Sequence, residues 1–128
     1  PKKDEWALIE IISHMADVDS EVNIPRIKLI QQNKTVFMEA ALTDHWADER
    51  SYIKNNPELE IKRFIYNRIE LIEMIDDLSP DQWKSTVNHA IFGPTPISEL
   101  VKFISQHDRI HINQMAETVK IIFNLNHQ

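Results

Sequence analysis

A chain of 128 residues, 42% hydrophobic and 27% charged, is long enough for one domain with its own core and too apolar to stay disordered. A net charge of −6 turns away phosphate backbones and anionic membrane surfaces, and the lack of cysteine removes disulfides, thiolate zinc sites and cysteine nucleophiles together. One glycine against six prolines argues against a turn-rich β-sandwich and a glycine-lined phosphate loop, so the expected fold is all-α, a single domain over 1–128. No apolar run approaches the roughly 20 residues of a membrane span, and no signal peptide is visible. With the cysteine-free composition this fits a cytoplasmic protein with neither nucleic acid nor membrane as partner. The chain opens at Pro1 without a methionine, so further residues are expected upstream.

The first stretch, from about Asp4 to Gln32, reads as a helix with Asp4 as its N-cap. Leu8, Ile11, Ile12, Met15, Val18 and Val22 recur at spacings of three and four. Pro25 should kink this helix or end its first segment, and Ile27 and Ile30 suggest that it continues. Between Asn33 and Asn56 the periodicity weakens; Thr35 and Thr43 are candidate caps, and a short helix is expected near Asp44 to Lys54. Pro57 suits the first turn of a second long helix, whose stripe reads Ile61, Phe64, Ile65, Arg68, Ile69, Ile72 and Ile75 up to Leu78. Ser79 to Val87 can form a short helix with Ser79 as cap, Pro80 at its first position and Gln82 completing a capping box. HAIFGPTPISEL is the main loop, and the last long helix runs from about Pro96 to Asn124.

That last helix raises a chemical question. Ile97, Leu100, Val101 and Ile104 begin its buried stripe, and Met115, Val119 and Ile122 resume it. The positions between them on the same face are His107 and His111, one turn apart. Each buried imidazole needs partners for its two nitrogens, and charging both would carry a heavy desolvation cost. A divalent cation resolves the conflict, because neutral imidazole is a good ligand for transition metals. HxxxH alone recurs by chance; its place within the apolar stripe gives it weight, against the plain reading of two hydrogen-bonded core histidines. His14, between Ile11 and Val18, is the best candidate third ligand, and three protein ligands with an open position is a catalytic pattern rather than a structural one.

WALIEIISHMADVD at 6–19 and HDRIHINQM at 107–115 resemble the DinB/YfiT-like metalloenzyme superfamily. Its hallmark is a helical bundle with one histidine on an early helix and HxxxH on the last. IPRIKLI, LSPDQW at 78–83 and NHAIFGPTPISEL extend the resemblance over nearly the whole chain. It implies a four-helix bundle holding a divalent metal (zinc, nickel, iron or manganese) on His14, His107 and His111. Better-understood relatives transfer low-molecular-weight thiols or act as a thiol-dependent isomerase, and others are described as hydrolases. The implied activity is therefore transfer of a thiol to, or hydrolysis of, a small electrophilic substrate, with a thiol cosubstrate supplying the sulfur this chain lacks. The alternative is a non-catalytic binding or sensing module with a structural metal or none. Relatives usually carry a full helix before the segment matching WALIEIISH. Either that first helix is lacking here or it is swapped from a partner, which points to a homodimer.

Asp17 and Gln114 are the candidate catalytic residues, as carboxylate or amide beside the metal ligands. Asp108 is a candidate for the same role as Asp17, but it reads more readily as an exposed helix charge, because adjacent helical residues face different ways. Arg68 reads as an arginine at the stripe edge, or paired with Asp17 or Glu21, or facing an anionic substrate; Arg26 is similar. His89 could line the mouth of the site, His45 and His127 look like surface residues, and Trp46, Trp83 and Tyr52 look like packing residues.

Overall fold

The computed structural model describes residues 6–38, 43, 45–90 and 92–126, apart from the side chains at 122, 123, 125 and 126. The first helical rod is built of α1 (Leu8–Val18), a π-helical turn (Asp19–Asn23) and α2 (Ile24–Gln31). A short strand β1 (Phe37–Met38), a single turn α3 (Trp46–Glu49) and a 3-10 turn (Tyr52–Lys54) lead to α4 (Pro57–Asp76). There follow α5 (Pro80–Lys84), the strands β2 (Thr86–His89) and β3 (Gly93–Pro96), and α6 (Ile97–Asn126). The all-α expectation holds, with a small sheet added to it.

Glu10 stabilises the start of α1 by accepting a hydrogen bond from the Ala7 N–H at 3.0 Å; the expected cap, Asp4, lies outside the described residues. Pro25 neither ends nor breaks the rod. The Ile24 N–H bonds back to the Asp19 carbonyl, so the chain widens by one residue per turn just before the proline. That widening makes room for a ring that would otherwise crowd the preceding turn.

The expected helix over Asp44–Lys54 is broken in two, because Ser51 adopts a left-handed conformation at φ 52°. Asp44 lies outside the described residues. Pro57 does open α4, behind Asn56, whose side chain accepts from the Leu59 N–H at 3.2 Å. The capping box at Ser79 and Gln82 forms in both directions, at 3.1 and 2.8 Å. That helix ends at Lys84 rather than Val87: Ser85 turns extended, and the β-branched Thr86 and Val87 enter a strand. The expected loop thus contains an antiparallel hairpin, β2 against β3 with Thr86 opposite Pro96 and His89 opposite Gly93. Gly93 supplies the positive φ, 68°, needed where the chain re-enters the strand. β1 adds in parallel on the other side of β2, giving the order β1-β2-β3.

α1 lies between α4 and α6. Ser13, Ala16 and Gln31 bond Asn55, Asn67 and Met74 in ascending order, so the first rod and α4 run parallel. α6 runs antiparallel to both. Ile24, Ile27, Ile30, Leu71, Met74, Leu78, Val87, Ile97, Leu100 and Ile104 form one apolar cluster at the α2 end. The histidines lie at the other end, where the core turns polar.

The expected stripe on α4 is wrong about which face is buried. Leu71 and Met74 are buried, while Ile61, Ile65, Ile69 and Ile72 are between 44% and 51% exposed. α4 meets α1 through polar side chains as well: the Asn67 amide donates to the Ala16 carbonyl at 3.2 Å. The four isoleucines lie on the side of α4 turned away from α1 and form an exposed apolar row. On α6, Ile97, Leu100 and Ile104 are buried as expected; Val119 is exposed and Thr118 takes the buried place, its hydroxyl donating to the Gln114 carbonyl. Ile122 lies outside the described side chains.

Candidate metal centre

His14 sits on α1 with no exposed surface, His111 is 7% exposed, and His107 is half-buried between them on the last helix. The three rings meet tip to tip. The Nε2 atoms of His14 and His107 are 3.3 Å apart, and those of His107 and His111 are 3.1 Å apart. All three ligand atoms lie within 4.8 Å of one another. A tetrahedral cation with bonds of about 2.0–2.1 Å holds its ligand atoms about 3.3 Å apart, close to these separations.

The proton count points the same way. The side-chain oxygen of Gln114 lies 2.9 Å from His111 Nδ1, so that nitrogen carries the proton and donates it. His111 Nε2 then presents a lone pair to His107 Nε2. One proton on His107 Nε2 cannot serve both His111 and His14, whereas a single divalent cation serves all three lone pairs. The residues present therefore fit a divalent metal. Trp6 closes one side: its ring lies parallel to that of His111, centroids 5.9 Å apart, and meets His14 edge-on at 4.9 Å.

Gln114, a site residue expected from the sequence, is thus in contact with His111, one of the three candidate ligands. It fixes the tautomer that aims His111 Nε2 inward. Replacing Gln114 by alanine is expected to weaken metal binding about tenfold, the lower end for loss of a ligand's hydrogen-bond partner, with helicity unchanged. Competition titration against a chromogenic chelator reads this directly; an unchanged affinity would remove Gln114 from the site.

Asp17 is placed elsewhere. Its carboxylate accepts from the Tyr52 hydroxyl at 2.5 Å and Arg50 at 2.8 Å, and pairs with Arg63 at 2.6 Å. Burial alone would raise its pKa, but these hydrogen bonds and the charge of Arg63 hold it below the usual carboxylate value. Burial and the Asp17 carboxylate push the Tyr52 hydroxyl up. Arg50 also pairs with Glu21 and stacks 3.8 Å above the Trp46 ring.

Arg68 does not lie along the stripe edge, nor does it pair with Asp17 or Glu21. Its Nε and Nη2 donate to Asp19 at 2.8 and 3.1 Å, Nη2 also donates to Asp108 at 2.9 Å, and Nη1 donates to the other oxygen of Asp108. Asp108 is therefore no exposed helix charge. Reading by sequence missed Asp19, Arg50 and Arg63 as partners. An arginine inside an apolar stripe was the available signal, since a buried cation demands carboxylates on the facing helix.

His89 stands apart in the hairpin, accepting from the Phe92 N–H at 3.2 Å and lying against Phe92 and Phe103. His45 is exposed beside Glu49, and Tyr52 and Trp83 pack as expected. His127 lies outside the described residues. A cavity of about 320 Å³ is lined by Trp6, Gln114, Glu117, Thr118 and Ile121, next to the centre. A larger one, about 670 Å³, lies at the far end between Asn33, Val36, Gln82 and Thr86 and includes no histidine, so size does not select the site.

No helix of the described residues is long and apolar enough to cross a membrane. No curated relative and no solved structure matches the chain. A family model does: the one for the DinB superfamily, over residues 1–115, a span that contains all three histidines. With that match over most of its length, the chain belongs to the DinB superfamily.

Proposed function

We propose that the protein is a metal-dependent enzyme that transfers a low-molecular-weight thiol to a small electrophile, or hydrolyses such a substrate. The convergence of three imidazole Nε2 atoms at 3.1 and 3.3 Å carries this reading. A divalent cation there supplies Lewis-acid activation of a thiol or of water. His14, His107 and His111 are neutral ligands, so they leave the full cationic charge available for that activation. Three protein ligands would leave coordination positions for water or substrate. Gln114 keeps His111 in its binding tautomer, and Trp6 shields the face shared by His14 and His111. The chain has no cysteine, so any sulfur nucleophile comes from a cosubstrate.

The test is a paired assay on metal-stripped protein reloaded separately with zinc, nickel, manganese or iron(II). One arm follows conjugation of a small thiol to a chromogenic electrophile; the other follows hydrolysis of activated esters and amides. Turnover above the buffer rate that needs the metal is the expected result. Metal-loaded protein inert in both arms would sink the enzymatic reading while leaving the metal centre intact.

A further inference from the structure

The side chain of Asp19 is 1% exposed, at the head of the π-helical turn, where its carboxylate accepts from Asn23 at 2.9 Å and from two nitrogens of Arg68. The Arg68 guanidinium, on α4, also reaches across to Asp108 on α6. One side chain therefore ties three helices together at one level. That level adjoins the histidines. Asp108 directly follows His107, and Asp19 lies five residues after His14 along one continuous helical rod.

We infer that Asp19, Arg68 and Asp108 are positioning residues that set the register of α6 against α1 and so bring His14 to His107 and His111; the inference rests on the metal-binding reading of those histidines. Burying an ion bridge adds little net stability compared with an apolar replacement, but it discriminates sharply among arrangements. A slip of α6 by one residue turns Asp108 by about 100° and carries it out of reach of the guanidinium. The same slip carries His107 away from His14. Apolar contacts between Ile24, Ile27, Leu100 and Ile104 tolerate such sliding far better, being non-directional. Metal ligation does not tolerate it, since ligand distances must hold to within about 0.2 Å.

The test uses the triple variant Asp19→Asn/Arg68→Met/Asp108→Asn, which removes the bridge without leaving a buried charge unpaired. Arg68→Lys is the second variant; it keeps the charge and the stem but loses the two-sided fork. Two quantities are read on each protein with native helicity: affinity for zinc by chelator competition, and, without metal, NMR contacts between the His14 and His107 ring protons. The bridge as a positioning device requires an affinity loss of about tenfold or more in the folded variant, together with weakened ring contacts. Native affinity and native ring contacts in either folded variant would overturn it. If the wild-type protein binds no metal but the variants still lose the ring contacts, the metal reading fails and the positioning role stands. If it binds no metal and the contacts persist, both fall.

Discussion

Replacing His107 and His111 together by alanine is expected to empty the protein of metal. Wild-type protein reconstituted with zinc and desalted should carry close to one equivalent by elemental analysis, and the double variant under about a tenth of that. Both lost ligands come from one helix and face one point, so the variant retains only His14, a single buried imidazole. A lone neutral ligand cannot repay the dehydration of a divalent cation in a site whose other wall is the Trp6 indole. A second readout follows from linkage. Free zinc at a hundredfold excess over its dissociation constant stabilises the native state by about 2.7 kcal/mol, so the wild-type melting temperature should rise with zinc and that of the variant should not. Truncating two rings also opens a cavity and leaves the Gln114 oxygen without its partner, so the metal-free variant should be less stable than metal-free wild type, by about 1–3 kcal/mol, and the comparison that counts is the zinc-dependent shift within each protein. Equal metal content in the two proteins would mean that the histidines are core residues bonded to one another, and the proposed function would fall with them.

Most of what positions this site could be read along the chain, for identifiable reasons. α6 has one apolar face and a regular period, so the places of His107 and His111 on that face followed from spacing alone. His14 was assigned to the edge of a stripe, and it proves fully buried, because α6 covers that edge. α4 resisted the same treatment. Its apolar residues spread round more than half of its circumference, and periodicity cannot tell which half α1 will cover. The covered part is the one that carries Asn67, Arg63 and Arg68, because Ala16, Asp17 and Asp19 across the interface offer acceptors to them. Polar complementarity between helices distant in sequence settled the rotation of α4, and no local pattern encodes it. The hairpin escaped for a related reason. Four-residue strands around a single glycine are too short to show alternation, and the pairing of β2 with Phe37 and Met38 is non-local.

Asp17 shows why a site residue cannot be assigned from helical position alone. It lies one turn beyond His14, which made it a candidate to act beside the metal, yet its carboxylate is shared by Arg50, Arg63 and Tyr52. The expected result of Asp17→Ala is therefore a loss of stability of about 1–3 kcal/mol, the range for leaving a buried hydrogen-bonding group without its partner, since Arg50 and Arg63 keep Glu21 and Glu60. Two guanidiniums lose a shared counter-ion, and a buried hydroxyl loses its acceptor. Zinc content per folded molecule should stay at the wild-type level. The pH dependence has a defined sign. The folded pKa of Asp17 lies below its unfolded value, so its contribution is fully present above the unfolded pKa and is lost as pH falls through the folded one. Denaturant midpoints of wild type and Asp17→Asn should differ widely at neutral pH and converge only in acid, below the ordinary aspartate range near pH 4. A gap that stays constant down to pH 2 would show that the carboxylate charge plays no part. A variant of wild-type stability that has lost its metal would return Asp17 to the metal centre.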